Sequence, residues 1–148
     1  MSSTGKSKKL SQRTGYLLSR VTASMQLGFD RGLKVFGVTR SQWNVMAAMN
    51  GKDVETAADV AKMLGLDATA VTRLIDRLED KGLVKRMPDA TDRRVNRLGL
   101  TEEGQNLFPL LREEADKSND RVFGALSGSE EEHLKELLTK ILNHMSSS

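Results

Sequence analysis

The charged stretch DATDRRVNR, residues 89–97, lies between two apolar, strand-like segments. It contains three arginines, Arg93, Arg94 and Arg97. A solvated loop needs polar residues, but it does not need arginines at its tip. A guanidinium group binds phosphate, and it is attracted into the narrow, electronegative minor groove of A·T-rich DNA. We expect the neighbouring Asp92 to fold back, hold one guanidinium and fix the shape of the turn. The stretch therefore predicts an exposed hairpin loop that contacts a polyanion.

Two short predicted helices precede this hairpin. TAAD at 56–59 begins the first helix, Gly65 supplies a left-handed turn residue after it, and Asp67 caps the second helix. The apolar stripe of the second helix leaves the following side chains outside: Thr69, Thr72, Arg73, Asp76, Arg77 and Asp80. Two short helices joined by such a turn are typical of a helix-turn-helix.

The first half of the second helix carries side chains that can read base edges. Arg73 could bind guanine through two hydrogen bonds, and the methyl groups of Thr69 and Thr72 could pack against thymine. Arg77, one turn further on, is better placed for a phosphate contact. The alternative interpretation is an ordinary charged surface helix, in which these arginines pair with the aspartates beside them.

Composition and charge limit the kind of protein. The 148 residues suggest one domain. With 38% hydrophobic and 4% aromatic residues its core is small, and chains of this kind often complete their apolar burial by pairing with a second copy. The net charge is only +3, but residues 83–97 hold five bases against two acids, and residues 1–20 hold five bases and no acid. Residues 101–148, in contrast, hold ten acids against five bases. This distribution favours one basic side that faces a polyanion.

The remaining segments predict helices. A stripe from Leu18 to Phe36 predicts a long amphipathic helix that Gly37 ends, and TRSQ at 39–42 is a capping box for a short helix. Thr101 caps a second long helix, in which Pro109 is expected to cause a kink. The inward stripe of that helix is predicted to hold Leu107, Leu110, Leu111, Ala115 and Val122. SGSE at 127–130 opens a closing helix.

An enzyme is the main rival class, and the sequence gives it little support. The two histidines, His133 and His144, are eleven residues apart in one predicted helix, so they lie ~16 Å apart along its axis and cannot share a metal there. There is no cysteine, no Gly-rich phosphate loop and no nucleophile motif. We expect no catalytic residue, no metal and no cofactor. No apolar run approaches the ~20 residues that span a bilayer, and no leader is seen, so a soluble cytoplasmic protein is expected.

The segment that holds the helix pair and the hairpin resembles the MarR family of multiple antibiotic resistance regulators. AADVAKMLGLDATAVTRLIDRLEDKGLVKRMPDATDRRVNRLGLTEEG contains a recognition helix followed by L-x-x-K-G-L-V-x-R, a D-x-x-D-R-R wing and L-T-x-x-G. This match covers about a third of the chain, and the order of the flanking helices agrees along most of the rest. Thr91 departs from the family pattern, where a basic residue is frequent, which implies a slightly weaker wing contact.

The resemblance implies a homodimer whose first and last two helices form the interface, with Arg93 and Arg94 as the wing contacts. We expect a mainly α fold with a small β-hairpin wing. Its parts are a disordered basic tail at 1–9, helical dimerisation regions at 10–37 and 102–146, and a winged helix-turn-helix core at 38–101. The predicted DNA-binding residues are Thr69, Thr72, Arg73, Arg77, Arg86, Arg93 and Arg94, with Asp92 as wing support.

The predicted function is a sequence-specific regulator of transcription that binds a pseudo-palindromic site on double-stranded DNA. The resemblance to the family favours a repressor that a small aromatic or phenolic ligand releases from DNA. The alternative is a winged-helix module that binds protein without specific DNA binding. A ligand cleft is predicted from apolar walls and a polar or cationic anchor: Tyr16, Arg20, Trp43 and Met46. For Trp43 and Met46 a plain core role is the alternative.

Overall fold

The computed structural model describes residues 9–148, so all of the predicted basic tail except Lys9 lies outside the described residues. A short 3-10 helix at Leu10–Gln12 is followed by six α-helices and one hairpin. The elements are α1 (Thr14–Lys34), α2 (Arg40–Met49), α3 (Ala57–Leu64), α4 (Ala68–Asp80), β1 (Val84–Pro88), β2 (Asn96–Leu100), α5 (Glu102–Phe123) and α6 (Gly128–Ser146). The mainly α fold with one antiparallel hairpin is the predicted fold class.

Local sequence signals set most helix starts. Thr39, Thr56 and Ser127 each form a complete capping box, in which the hydroxyl accepts the N–H of the third helical residue and that residue's side chain accepts the cap's own N–H. Asp67 caps α4 by accepting the N–H of Ala70 at 2.8 Å. Each bond satisfies a backbone donor that a helix start would leave free, so the predicted starts of α2, α3, α4 and α6 are confirmed.

The two long helices differ from the prediction in detail. α1 begins at Thr14, four residues before Leu18. α5 continues through Pro109, where the expected kink stays a prediction, and it buries Phe108, which the predicted stripe omitted. Leu110 was placed in that stripe wrongly, since it is 47% exposed. Phe108 and Leu111 are three residues apart and share the buried face of the helix, and Leu110 lies outside that face.

The chain divides into two compact units. One unit runs from Gln26 to Ala115 and holds the whole cluster of buried hydrophobic residues, from Phe29 to Leu111. It is wider than the predicted core at 38–101, because Phe29 and Leu33 at the end of α1 and Phe108 and Leu111 in α5 are buried in that cluster. The other unit comprises the described residues up to Met25 and those from Asp116 onward.

The hairpin is held to the helices around it. β1 and β2 pair antiparallel with Val84 opposite Leu100 and Pro88 opposite Asn96. The N–H of Leu98 donates to the carbonyl of Glu55 at 2.7 Å, which fixes β2 against the segment before α3. The N–H of Thr101 donates to the carbonyl of Leu83 at 3.1 Å, so the end of the hairpin is fixed at the start of α5. These bonds give the wing a defined base.

Among the helices of residues 9–148, none combines the length and the apolar character that crossing a bilayer requires.

Candidate nucleic-acid interface

α4 has one buried face and one exposed face. Val71, Ile75 and Leu78 are fully buried and pack this helix into the core. The opposite face is exposed and carries the predicted recognition residues Thr69, Thr72, Arg73 and Arg77. The stripe of period 3.6 therefore placed the inward and outward residues of α4 correctly.

The two outward arginines of α4 have no acidic partner among residues 9–148. Arg73 and Arg77 form neither an ion pair nor a side-chain hydrogen bond within this range, so the predicted alternative of pairing with Asp76 and Asp80 is not seen. Asp76 instead accepts a hydrogen bond from another arginine, Arg86. Both guanidinium groups of α4 are therefore available to a ligand that approaches the exposed face.

Arg86 is engaged within the protein. It lies on β1, and its two terminal nitrogens contact the Asp76 carboxylate at 2.6 Å and the Glu79 carboxylate at 3.0 Å. Its side chain is only 23% exposed. Arg86 was predicted as a DNA contact, and the structure shows that its fork is occupied by two carboxylates of α4.

The tip of the wing carries the predicted arginine pair. Arg94 is 91% exposed, and its Nε and Nη2 donate to Asp92 at 3.1 and 3.2 Å. Asp92 also accepts the backbone N–H of Arg94 at 3.0 Å, so the predicted fold-back of this aspartate is confirmed. The hydrogen bond from the Arg94 side chain is the largest cause that lowers the pKa of Asp92. Arg93 is exposed and has no ion pair within residues 9–148.

Arg97 does not belong to the tip, where the sequence interpretation grouped it with Arg93 and Arg94. It lies in β2 opposite Met87, and its Nε donates to Asp89 at 2.6 Å while Nη1 donates to Glu55. Hydrogen bonds from Arg97, and then from Thr91, lower the pKa of Asp89 to about 2. Arg97 therefore fixes the base of the wing. The strand-like stretch VNRLGL, residues 95–100, already contains Arg97 and overlaps the charged stretch, but nothing in the sequence pointed to Glu55.

The residues of the predicted ligand cleft have different surroundings. The ring of Trp43 stacks on Phe108 with 5.3 Å between centroids and meets Phe29 edge-on at 6.1 Å. Met46 has no exposed surface. Both side chains are thus part of the packed core of the unit at 26–115, which agrees with the core alternative. Tyr16 is half-buried and Arg20 is exposed within the terminal unit, and the cleft itself stays a prediction.

The terminal unit contains an open apolar groove. Its volume is about 490 Å³, and several of its lining side chains remain partly exposed, including Leu18 at 41% and Val21 at 44%. The groove is lined by Thr14, Leu17, Leu18, Val21, Thr22, Met25, Val122, Phe123, Ala125, Leu126, Leu134 and Leu138. Leu137 and Ile141 on α6 are 46% exposed as well, so the predicted surplus of apolar surface on the terminal helices is present.

Metal-binding groups of three or more His, Cys, Asp or Glu side chains do not occur in the described part of the chain. His133 lies 3.7 Å from Glu136, and both side chains are well exposed. This pair is a solvated surface contact.

Comparison with known proteins points to one family. The sequence model of the MarR family matches residues 36–95, which include α2, the helix pair and most of the hairpin. CouR from Rhodococcus jostii RHA1, solved bound to p-coumaroyl-CoA, is 29% identical with a TM-score of 0.84, and the alignment covers 91% of this chain and 95% of that one.

Two further solved structures are similar to this chain. MepR from S. aureus, solved in complex with DNA, is 29% identical with a TM-score of 0.80, over 90% of this chain and 96% of that one. BpsR from Bordetella bronchiseptica, described as regulated in DNA binding by 6-hydroxynicotinic acid, is 26% identical with a TM-score of 0.80, over 91% and 96%. The exposed α4, the arginine-tipped hairpin and these matches together support a MarR-family winged-helix regulator.

Proposed function

We propose that the protein binds double-stranded DNA with α4 in the major groove. The observation that carries this proposal is the exposed face of α4, where Arg73 and Arg77 have no ion-pair partner within residues 9–148. Arg73 lies in the first half of the helix, the part that reaches base edges in helix-turn-helix proteins. Arg77, one turn later, suits a phosphate. The DNA complex of MepR supports the same use of this fold.

The wing is proposed to reach the neighbouring minor groove through Arg93 and Arg94. Asp92 holds the Arg94 side chain at the tip while leaving it 91% exposed, so the guanidinium is oriented yet accessible. Replacing Arg93 and Arg94 by alanine should lower the slope of log affinity against log salt by about two phosphate equivalents at most. Arg121→Ala, which removes one positive charge at the end of α5, is a control for charge loss outside the wing. An unchanged affinity in the double variant would reduce the wing to a solvated hairpin.

A homodimer is proposed as the DNA-binding form. The apolar groove of the terminal unit and the exposed leucines of α6 are best covered by a second copy, since burial of apolar surface contributes ~25 cal/mol per Å². Leu138→Glu should produce a monomer and weaken DNA binding with it, because a carboxylate in the groove would lose its hydration. Light scattering measures the mass, and a wild-type monomer at micromolar concentration contradicts this part.

Selection from a pool of random duplexes tests the DNA proposal as a whole. A dimer with two copies of α4 should select pseudo-palindromic sequences whose half-sites lie about 10 bp apart. The alternative function, a module that binds protein only, predicts that no sequence is enriched over the starting pool. Enriched sequences without dyad symmetry would retain DNA binding but exclude the proposed arrangement of the dimer.

We propose further that the protein is a repressor and that a small aromatic acid or phenol releases it from DNA. The support is chemical similarity between two ligands of relatives. The p-coumaroyl-CoA bound to CouR carries a phenol, and the 6-hydroxynicotinic acid that regulates BpsR is a hydroxylated aromatic acid. A ligand that prefers one spacing of the two α4 helices would shift the dimer away from the form that binds DNA, by no more than its differential affinity.

Trp43 makes this proposal measurable. It is the single tryptophan of the chain, and its ring lies between Phe29 and Phe108, so its fluorescence reports on that packing. Hydroxylated aromatic acids should change the fluorescence and reduce binding to the selected DNA in parallel. If neither signal changes at millimolar ligand, this ligand class is wrong. If only the fluorescence changes, the ligand binds but does not control DNA affinity.

A further inference from the structure

Arg86 joins the hairpin to α4 through two carboxylates at once. Its Nη2 lies 2.6 Å from Asp76 and its Nη1 lies 3.0 Å from Glu79, and the two acidic residues are three positions apart on the helix. A planar guanidinium fork suits such a bridge, because its nitrogens donate in fixed directions. Arg86 therefore holds both carboxylates on the side of α4 that faces β1.

The charges of α4 explain why this bridge matters. The exposed charged side chains of the recognition helix are two bases and three acids: Arg73, Asp76, Arg77, Glu79 and Asp80. Without Arg86 these two bases and three acids would give the exposed side chains of α4 a net charge of −1 opposite a polyanion. Asp76 is also three residues after Arg73, a spacing at which oppositely charged side chains pair on a helix surface. Arg77 and Asp80 have the same spacing and are not paired with each other in the described part of the chain. An uncommitted Asp76 would therefore compete with DNA through its negative charge beside Arg73 rather than through a fixed ion pair.

We propose that Arg86 is a positioning residue for DNA recognition. From β1 it binds the carboxylates of Asp76 and Glu79 in α4 and so keeps Arg73 free for a base edge. This inference rests on the proposed entry of α4 into the major groove. It differs from the sequence prediction, in which Arg86 itself contacts DNA. The two roles predict different behaviour when the charge of Arg86 is retained but its fork is lost.

The test compares affinity for the selected duplex with affinity for a random duplex. Arg86→Met should lower this specificity ratio about fivefold, the lower end of what a base-reading arginine contributes. Arg86→Lys retains the charge and hence the salt dependence, but one ammonium cannot bridge both carboxylates as the fork does, so the ratio should still fall. Lys85→Met is the matched control on β1. It removes one charge from an exposed neighbour, so both affinities should fall together and the ratio should stay unchanged.

A second pair of variants identifies the carboxylate responsible. Adding Asp76→Asn to Arg86→Met should restore the ratio, because the competitor of Arg73 is gone. Adding Asp80→Asn to Arg86→Met makes the same charge change on α4, but Asp80 is not a partner of Arg86. This control should raise both affinities and leave the ratio low. Circular dichroism melts establish that every variant is folded at the temperature of the binding assay.

Three results would overturn the proposal. One is an unchanged ratio in Arg86→Met. Another is equal rescue by Asp80→Asn and Asp76→Asn, which would reduce the effect to net charge. The third is a combined result, in which Arg86→Lys keeps the wild-type ratio and Arg86→Met lowers the salt dependence by about one phosphate equivalent. That result would make Arg86 a direct phosphate contact.

A measurement without DNA separates this inference from the proposed function. Without DNA, the side-chain Nε–H of Arg73 should exchange with water faster in the wild type than in the Arg86→Met variant. Adding Asp76→Asn to Arg86→Met should restore the fast rate. If the wild type selects no DNA sequence, the proposed function fails, while this exchange rate still decides whether Arg86 keeps Arg73 free. If sequences are selected but the exchange rate is the same in all variants, only the role of Arg86 fails.

Discussion

Replacing Gly104 by alanine should destabilise the junction of the wing and α5. A Cβ atom at this position would lie 2.1 Å from the carbonyl oxygen of Leu83, 3.0 Å from its carbonyl carbon and 3.4 Å from the Cβ of Leu100. The nearest obstacle is backbone, and the same Leu83 carbonyl accepts the N–H of Thr101 at 3.1 Å. The strand end and the helix start must therefore separate to admit the methyl group.

The size of the effect follows from two opposing contributions. Overpacking a dense site costs about 1–3 kcal/mol, and a shift of backbone favours the upper end. Alanine gains up to about 1 kcal/mol over glycine in a helix, which offsets part of the loss. We expect a net destabilisation of about 2 kcal/mol, or a fall in Tm of roughly 4–8 °C for a chain of this size.

Equilibrium urea unfolding followed by circular dichroism, at one protomer concentration, measures the difference for Gly104→Ala. Gly128→Ala is the control, since a Cβ there meets nothing within 4 Å, so the free energy of unfolding should not fall and should rise by at most about 1 kcal/mol through the same helix preference. A Gly104→Ala variant as stable as the wild type would refute the packing argument. Close approach of the Leu83 backbone would then not be the reason for glycine in the L-T-x-x-G motif.

Two further predictions concern the elements that hold the DNA-binding surface. Arg97 lowers the folded-state pKa of Asp89 to about 2, so this contact stabilises the protein above the unfolded pKa near 4 and is lost as the pH falls from about 4 to 2. Acid titration of unfolding should therefore show a smaller loss over that range in Asp89→Asn. Thr56→Ala should cost about 1 kcal/mol by removing the capping box of α3, and Thr56→Ser, which keeps the hydroxyl, should cost much less in the same urea assay.

Features encoded within a few residues were predictable from the sequence. The capping boxes at Thr39, Thr56 and Ser127 need only residues three positions apart, and Gly65 adopts the left-handed conformation, with φ of 65°, that the turn requires. The fold-back of Asp92 onto Arg94 is likewise local. In each case the atoms that interact are close in the chain, so their types and spacing were enough to indicate the structure.

Contacts between distant segments were not predictable in this way. Arg97 reaches Glu55, 42 residues earlier, and its place in β2 depends on the hairpin register, which charge composition does not reveal. Arg86 looked like one more exposed cation, because its two carboxylate partners lie on another element. Periodicity also missed Phe108, which contacts the Trp43 ring and is buried through packing that involves α2. Tertiary packing decided these cases.

The most direct test of sequence reading by α4 compares Arg73→Ala with Arg77→Ala on the selected and the random duplex. Arg73→Ala should weaken binding to the selected duplex by ~1–3 kcal/mol and relax the preference at one base pair, because it removes a base contact. Arg77→Ala should weaken binding to both duplexes similarly, because it removes a phosphate contact. Equal losses on both duplexes for Arg73→Ala would contradict the claim that the exposed face of α4 reads DNA sequence.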